Sequence, residues 1–349
     1  MSAQPRQMQH GGMSARHHTM PVQQGRWRAR GAPPSPVKQR GIALLVAILL
    51  VALGTMIAAA LAYDNAMTAR RGLATFALDE SVLIGEAAEA LAAYGLRVIW
   101  QSDKQHIYIG QGWDKPVGPI EVVPGVMLVA SLEDLQGRFN LNSLVNADGT
   151  VNKVTFAAFQ QLLASLDLEP KWAGYIVDWI DPDIAPMSPD GAEDSVYLGQ
   201  NPPYRTPNMY ITSASELLAL PGFGHDRYQK LAPYVTALPI DAKINICTAS
   251  GVVLDAFLPG RREFGADPDG LQKNRASANG CFPKLADYQA AFESAAQFTA
   301  AQGLFAENSP YFRLTSFITI GSAEFNLYSL LLQDGTGNVR PILRSYTAD

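Results

Sequence analysis

The sequence has few of the residues on which most enzyme sites depend. It contains two cysteines and five histidines among 349 residues, and three of those histidines lie in the first 18 residues. It has no H-E-x-x-H, no G-x-S-x-G and no phosphate-loop motif, which argues against zinc peptidases, α/β-hydrolases and P-loop nucleotidases. A pair of carboxylates could still supply a catalytic acid and base, so a hydrolase remains an alternative.

Acidic residues are missing from the first 41 positions. This segment holds seven of the 27 lysines and arginines and none of the 32 acids, so residues 42–349 carry 20 bases and a net charge of −12. An acidic body repels nucleic acid. We therefore expect no nucleic-acid partner.

All charge is missing from residues 42–62, a run of 21 positions. A helix of that length spans the hydrocarbon core of a bilayer. Basic residues precede the run and Asp64 follows it, so the positive-inside rule predicts a cytoplasmic N-terminus with the body across the membrane. A cleaved secretory signal, with a site in AAALA at 58–62, is the competing interpretation.

Proline is missing from residues 63–100, which are rich in alanine, leucine and glutamate. These are good helix formers, so we expect one helix to continue from the membrane segment to about residue 100. Apolar residues recur at helical spacing in its outer half, and we expect that stripe to pack on a sheet. The stripe consists of Leu73, Phe76, Leu83, Ala87, Leu91, Tyr94 and Val98.

The remaining chain changes character twice. Strand-like runs occupy residues 101–140, including IYIGQGW at 107–113, and strands return near the end, where DGTGN at 334–338 resembles a hairpin turn. Helical segments dominate residues 141–305, which we call the helical insert. The order predicts one α/β domain whose two parts share a sheet and are separated by the helical insert.

The densest chemical feature is an acidic loop, residues 178–194, that contains no basic residue. Hard oxygen ligands on a turn-rich loop suit calcium, and no histidine or cysteine is near to favour zinc. A solvated acidic loop without a metal is the alternative. The acids are Asp178, Asp181, Asp183, Asp190, Glu193 and Asp194.

Residues 213–235 resemble a helix-hairpin-helix with an LPGFG turn. DNA-binding members of that class need basic support around the glycine turn. Arg227 and Lys230 alone provide little in an acidic chain. The sequence favours a packing unit of the same shape.

Cys247 and Cys281 form an even pair in a chain that carries an export-type signal. Such a pair indicates one disulfide in an oxidising compartment. Two separate buried thiols are the alternative.

Several motifs occur in a family-specific order: Arg-Gly before the apolar helix, DLQGRFNLN at 134–142, WIDPD at 179–183 with GAED at 191–194, NPPYR at 201–205, and S-x-x-E-L-L-x-L-P-G-F at 213–223. Together they resemble the type II secretion minor pseudopilin K family (GspK/XcpX), which are type IV pilin-like proteins. The resemblance extends from residue 38 to the end.

The resemblance implies a non-enzymatic assembly protein. Members are cut by the prepilin peptidase, here between Gly41 and Ile42, and are methylated at the new N-terminus. They sit in the inner membrane with a periplasmic body, join minor pseudopilins I and J at the pseudopilus tip, contact H and the major pseudopilin G through them, and support export of folded proteins. The alternative function is a membrane-anchored periplasmic hydrolase that uses the acidic loop.

The implied fold is α+β: a pilin-like fold, with a long transmembrane helix packed on an antiparallel sheet, and an all-α insertion of two SAM-like, helix-hairpin-helix-like units. The expected parts are a leader (1–41), the transmembrane helix (42–62), the first pilin-like part (63–140), the insert (141–206 and 207–305) and the C-terminal strands (306–349).

The family also binds calcium in the insert. The resemblance carries this property to Asp181, Asp183, Glu193 and Asp194, with Asp178 and Asp190 as secondary candidates.

The fifth residue of the mature chain would be Val46. Most pilin-like proteins have glutamate there, and the K family departs from that pattern. A buried carboxylate in lipid is costly unless it is paired, and by family analogy its partner is the N-terminal amine of a neighbouring subunit. A subunit at the tip has no neighbour above it, so we expect valine to suit that place.

Overall fold

The computed structural model describes residues 40–346, with the backbone alone described for Arg40 and Gly41. The predicted leader up to residue 39 and residues 347–349 of the predicted C-terminal strands lie outside the described residues. The chain divides into two units, residues 1–67 and 68–349. One helix, α1 (Arg40–Ser102), has residues in both units. The predicted long helix is confirmed, and α1 is long and apolar enough to cross a membrane.

The face of α1 that packs on the sheet is not the predicted one. Ile84, Ala88 and Leu96 are buried in the core beneath the sheet, whereas the large residues of the predicted stripe are 46–75% exposed. The packed face is rich in small residues, and Gly85 lies so close to Leu327 that a β-carbon would clash. Small residues let the helix approach the sheet closely, so helical spacing alone selected the wrong apolar face.

A buried acid also lies on the packed face of α1. Glu89 is 4% exposed; its carboxylate accepts from Ser329 Oγ and from Arg344, whose Nη2 lies 2.6 Å from Glu89 Oε2. Because a buried carboxylate is costly without such partners, this contact ties α1 to the sheet at a specific register.

The sheet has five antiparallel strands: β1 (Val117–Val123), β2 (Val126–Asp134), β7 (Tyr311–Ile320), β8 (Ala323–Gln333) and β9 (Val339–Ser345), in the order β1-β2-β7-β8-β9. The predicted shared sheet is therefore confirmed, with β2 pairing directly with β7 across the insert. Phe312, Leu314 and Ile318 alternate into the core at 0–2% exposure, and the turn at 334–338 joins β8 to β9.

The predicted strand at residues 107–113 was wrong. These residues form turns, because Gly110 and Gly112 both adopt positive φ, which interrupts an extended chain. Ile107 and Trp113 are nevertheless buried, at 4% and 7% exposure. The segment thus contributes core side chains without pairing in the sheet.

The helical insert contains α2 (Lys153–Ser165), α3 (Trp172–Ile180), α4 (Asp194–Tyr197), α5 (Gly224–Leu231), α6 (Gly251–Asp255), α7 (Pro268–Ala278), α8 (Leu285–Ala291) and α9 (Ala295–Ala301). Short parallel pairs join β3 (Phe139–Asn140) to β4 (Val235–Thr236) and β5 (Ile244–Asn245) to β6 (Phe305–Ala306). Ser213 and Glu216 form a capping box at the start of a 3-10 helix, Ala214–Ala219. The insert has its own large apolar core, separate from the smaller core beneath the sheet.

A buried polar cluster joins the end of β2 to the insert. Asp134 is 5% exposed, and its Oδ2 accepts from Asn245 Nδ2, Thr248 Oγ1 and Ser309 Oγ at 2.9, 2.6 and 2.6 Å. Its Oδ1 accepts from the backbone N–H of Gln136. The carboxylate of Asp134 therefore connects the end of β2 to the insert through hydrogen bonds.

A disulfide joins Cys247 to Cys281 in the second half of the insert. Buried Arg275 lies between the segments that the disulfide links and donates to the carbonyls of Ile246, Ala249 and Phe282. The Arg275 guanidinium thus links α7 to the backbone next to both cysteines of the disulfide.

Candidate metal centre

The acidic loop is anchored by the helix that precedes it. Eight of the nine residues of α3 are buried, including Asp178 in its last turn. The carboxylate of Asp178 accepts from the backbone N–H of Met187 at 3.0 and 3.1 Å, and Gly191 lies against the same carboxylate with no room for a side chain. This buried acid folds the loop back onto the end of α3.

Three carboxylates of the loop converge. Asp181 follows α3, Asp183 lies two residues later, and Glu193 immediately precedes α4. One oxygen from each of the three lies within 4.8 Å of the other two. Calcium–oxygen distances of about 2.3–2.6 Å place opposite ligands about 4.6–5.2 Å apart, so one ion could contact all three.

Two of the converging carboxylates are buried and incompletely paired. Asp181 is 6% and Glu193 is 2% exposed, yet Asp181 Oδ1 and Glu193 Oε1 have no hydrogen-bond partner among the described residues. Burial, reinforced by the neighbouring carboxylates, raises the pKa of Asp181 to about 7 and also raises the pKa of Glu193. Buried polar atoms are rarely left without partners, and a cation held by these oxygens would supply one.

The donor set fits a hard divalent cation. All three groups are carboxylates, and oxygen-only sites favour calcium, magnesium or manganese over zinc. Calcium tolerates irregular loops and six to eight oxygens, whereas magnesium requires near-ideal octahedral geometry and usually keeps several waters. When bound, such an ion neutralises the repulsion that the three carboxylates otherwise exert on one another.

The other predicted ligands lie outside this group of three. Asp194 forms an ion pair with Arg205 at 2.7 Å, in the first turn of α4. Asp190 is exposed, and Asp178 holds the backbone of the loop. Burial raises the pKa of Asp178 to about 6.

Sequence reasoning missed a second segment that touches the group. Thr206 Oγ1 donates to Glu193 Oε2 at 3.1 Å, and Asn208 Nδ2 donates to the carbonyl of Asp183 at 2.6 Å. Neither residue belongs to an acidic pattern, so no feature of the sequence marked them. The positive φ of Asn208, 48°, appears in the structure alone.

The predicted processing residues lie at the start of α1. The backbone of Gly41 is helical, Ile42 is 64% exposed and Val46 is 49% exposed. The leader before them lies outside the part of the chain that the structure describes, so cleavage after Gly41 stays a prediction.

Known proteins resemble this chain in sequence over most of its length. A family model described as type II secretion system (T2SS), protein K, matches residues 137–240, which include the acidic loop. Type II secretion system protein K of Pseudomonas aeruginosa is 31% identical over 324 residues, covering 88% of this chain and 92% of that protein. The Pectobacterium carotovorum subsp. carotovorum protein K is 38% identical over 228 residues, covering 60% and 67%.

The fold is also shared with a solved structure. A chain in the crystal structure of the GspK–GspI–GspJ complex of the enterotoxigenic Escherichia coli type 2 secretion system matches with a TM-score of 0.69 and 24% identity. The match covers 80% of this chain and all of that chain. It confirms the α+β, pilin-like fold with its extra helices.

The relatives reported above are named as secretion-system components and none as an enzyme. The hydrolase alternative is therefore not favoured. The order of motifs, the shared fold and the match to the Pseudomonas aeruginosa protein along nearly the whole chain agree. This chain belongs to the type II secretion system protein K family, the minor pseudopilins K.

Proposed function

We propose that this minor pseudopilin joins minor pseudopilins I and J at the tip of the periplasmic pseudopilus, and contacts pseudopilin H and the major pseudopilin G through them. The assembly supports export of folded proteins across the outer membrane. The observation that carries this proposal is the exposed apolar face of α1. Leu83, Leu91, Tyr94 and Val98 are 46–67% exposed along one side of a helix whose other side packs on its own sheet.

An apolar face of this kind indicates a protein partner. Beside it lies an apolar recess of about 290 Å³ between α1 and the strands β1 and β2. Contiguous exposed apolar surface marks interaction sites on soluble domains, and helix faces with this spacing pack against other helices. The crystallised relative of this fold was solved with its I and J subunits, which supports I and J as the partners that cover this face.

The proposed contact with subunits I and J is tested by placing two charges on the exposed apolar face of α1. The double variant Leu83→Glu, Leu91→Glu in the full detergent-solubilised chain should lose co-purification with subunits I and J, because both carboxylates would be buried in the contact. Leu218→Glu is the matched control, since Leu218 is 45% exposed on the insert. Retention of I and J by the double variant would contradict the proposal.

The same proposal includes the membrane topology. The prepilin peptidase cuts after Gly41, and residues 42–62 then hold the chain in the inner membrane with the body in the periplasm. The uncharged run and the basic residues before it support this topology. N-terminal sequencing of membrane-extracted protein should give Ile42, whereas a start near Asp64 would indicate signal-peptidase cleavage instead.

We further propose that the cation of the candidate site is calcium, held by Asp181, Asp183 and Glu193. A cation present at 100 times its dissociation constant stabilises the folded state by about 2.7 kcal/mol, so chelation should lower the melting temperature by about 5 °C or more. The double variant Asp181→Asn, Glu193→Gln should be insensitive to chelation, and Asp190→Asn should stay sensitive. An unchanged melting temperature on chelation of the wild type would contradict calcium binding.

A further inference from the structure

Asn208 lies in a segment that follows the acidic loop in the chain and returns to it in space. Its side-chain amide donates from Nδ2 to the backbone carbonyl of Asp183 at 2.6 Å. A carbonyl oxygen accepts and never donates, so the amide atom facing it must be the nitrogen. The amide oxygen Oδ1 therefore does not face that carbonyl.

The Oδ1 atom of Asn208 is buried and has no hydrogen-bond partner among the described residues. Asp181 Oδ1 and Glu193 Oε1 share both properties. A buried acceptor without a donor costs about 1–3 kcal/mol. Three such oxygens on one loop and its neighbouring segment are better explained by one shared partner than by three separate defects.

The segment that carries Asn208 contacts two of the three carboxylate residues. Thr206 donates to Glu193 Oε2 at 3.1 Å, and Asn208 holds the backbone of Asp183. The segment therefore lies beside the group formed by Asp181, Asp183 and Glu193. A neutral oxygen there adds a ligand without adding a fourth negative charge.

We propose that Asn208 supplies an amide-oxygen ligand to the cation held by Asp181, Asp183 and Glu193. Calcium takes asparagine carbonyl oxygens as ligands alongside carboxylates. The inference rests on the proposed calcium site and extends it from the acidic loop to a second stretch of chain. Cation binding then ties residues 181–193 to residue 208 and closes the intervening residues, including α4, into one loop.

The left-handed conformation of Asn208, with φ of 48°, decides which variants are informative. Glycine tolerates this conformation without strain, and aspartate tolerates it nearly as well as asparagine. Asn208→Gly removes the ligand oxygen, whereas Asn208→Asp keeps an oxygen and removes the amide donor to Asp183. The pair separates a ligand from a residue that only buttresses the loop.

Calcium affinity is measured by calorimetry on the full detergent-solubilised chain. Asn208→Gly should weaken calcium binding about tenfold, which corresponds to 1.4 kcal/mol, and Asn208→Asp should keep or strengthen it. Asn274→Gly, at an exposed position on α7, should leave affinity unchanged.

The outcomes separate two failures. If the wild type binds calcium and Asn208→Gly binds it equally well, Asn208 is not a ligand and the calcium site stands. The same holds if Asn208→Asp weakens calcium binding as much as Asn208→Gly does. Absence of calcium binding in the wild type overturns both the calcium site and the role of Asn208.

Discussion

At the scale of single residues, the acidic loop is built from carboxylates with different tasks. Asp178 is fully buried and holds the loop backbone, and Asp194 is neutralised by Arg205. Asp181, Asp183 and Glu193 converge, and no lysine or arginine among residues 42–346 is seen to form an ion pair with them. The loop therefore combines three carboxylates that could hold a cation with acids that have other partners, and it is not a uniformly acidic patch.

The raised pKa values predict an unusual pH dependence for the metal-free protein. The pKa of Asp181 rises to about 7 and that of Asp178 to about 6, both above the unfolded value near 4. Between those limits the folded state binds more protons than the unfolded state, so stability falls as pH rises. In chelator, the melting temperature should decrease from pH 5 to pH 8.

The proposed calcium ion should reverse the sign of this pH dependence, because calcium binds deprotonated carboxylates. With saturating calcium, the melting temperature should stay constant or rise from pH 5 to pH 8. In chelator, Asp181→Asn should reduce the change of melting temperature with pH. Thermal melts at matched ionic strength check both arms. A chelator curve that rises with pH would show that the loop carboxylates are not destabilised by burial.

The sequence predicted part of this site for a physical reason. The six acids of residues 178–194 stand out together because like charges close in sequence need a cation or solvent to coexist, whereas the choice of Asp181, Asp183, Glu193 and Asp194 among them came from the family resemblance. The sequence could not show that Asp194 is paired, since Arg205 lies 11 residues away, or that Asn208 faces Asp183. Those contacts depend on how the chain returns through residues 201–210.

At the scale of elements, the motif at residues 134–142 forms the junction between the sheet and the insert. Asn140 Nδ2 donates to the carbonyl of Pro239 and Asn142 Nδ2 donates to those of Ile211 and Leu238. Together with Asp134, these side chains replace backbone pairing where regular strands end. The polar residues of this motif therefore form the junction. The sequence showed the motif as a feature of the family but did not indicate its structural role.

The junction predicts a specific loss of stability. Thr248→Val removes one of the three donors to Asp134 Oδ2, and the carboxylate is buried, so unfolding free energy should fall by about 2 kcal/mol. Thr299→Val, at an exposed position on α9 whose hydroxyl bonds within its own helix, should change it by less than about 0.5 kcal/mol. Denaturant unfolding of both variants measures the difference; equal effects would mean that Asp134 does not depend on this donor.

The sequence predicted the extent of helix α1 but not the face that packs on the sheet. Its length and its continuity followed from composition, and both are confirmed. Its packed face did not follow from composition. Large apolar residues at helical spacing predicted the stripe that packs on the sheet, whereas small residues and the paired Glu89 form that contact. Apolar spacing identifies an interface but not which partner covers it.

At the scale of the whole molecule, charge divides the chain into three regions. A basic stretch of 41 residues precedes 21 uncharged residues, and an acidic body follows. This order predicts the direction in which a membrane anchor inserts. It also leaves the apolar helix without the acid that most pilin-like proteins carry near its start, because Val46 occupies that place.

The absence of that acid predicts how the chain responds to receiving it. A glutamate in the membrane costs up to about 2.5–3.5 kcal/mol unless a cation pairs with it, and a tip subunit has no subunit above it to provide one. Val46→Glu should therefore reduce both recovery of the chain with subunits I and J and export of the secreted proteins. Val46→Leu keeps the apolar character and should change neither. The amount of each variant in the membrane fraction shows whether insertion itself has failed. If Val46→Glu exports proteins at the wild-type level and recovers subunits I and J normally, the valine at this position is not required by a location at the tip.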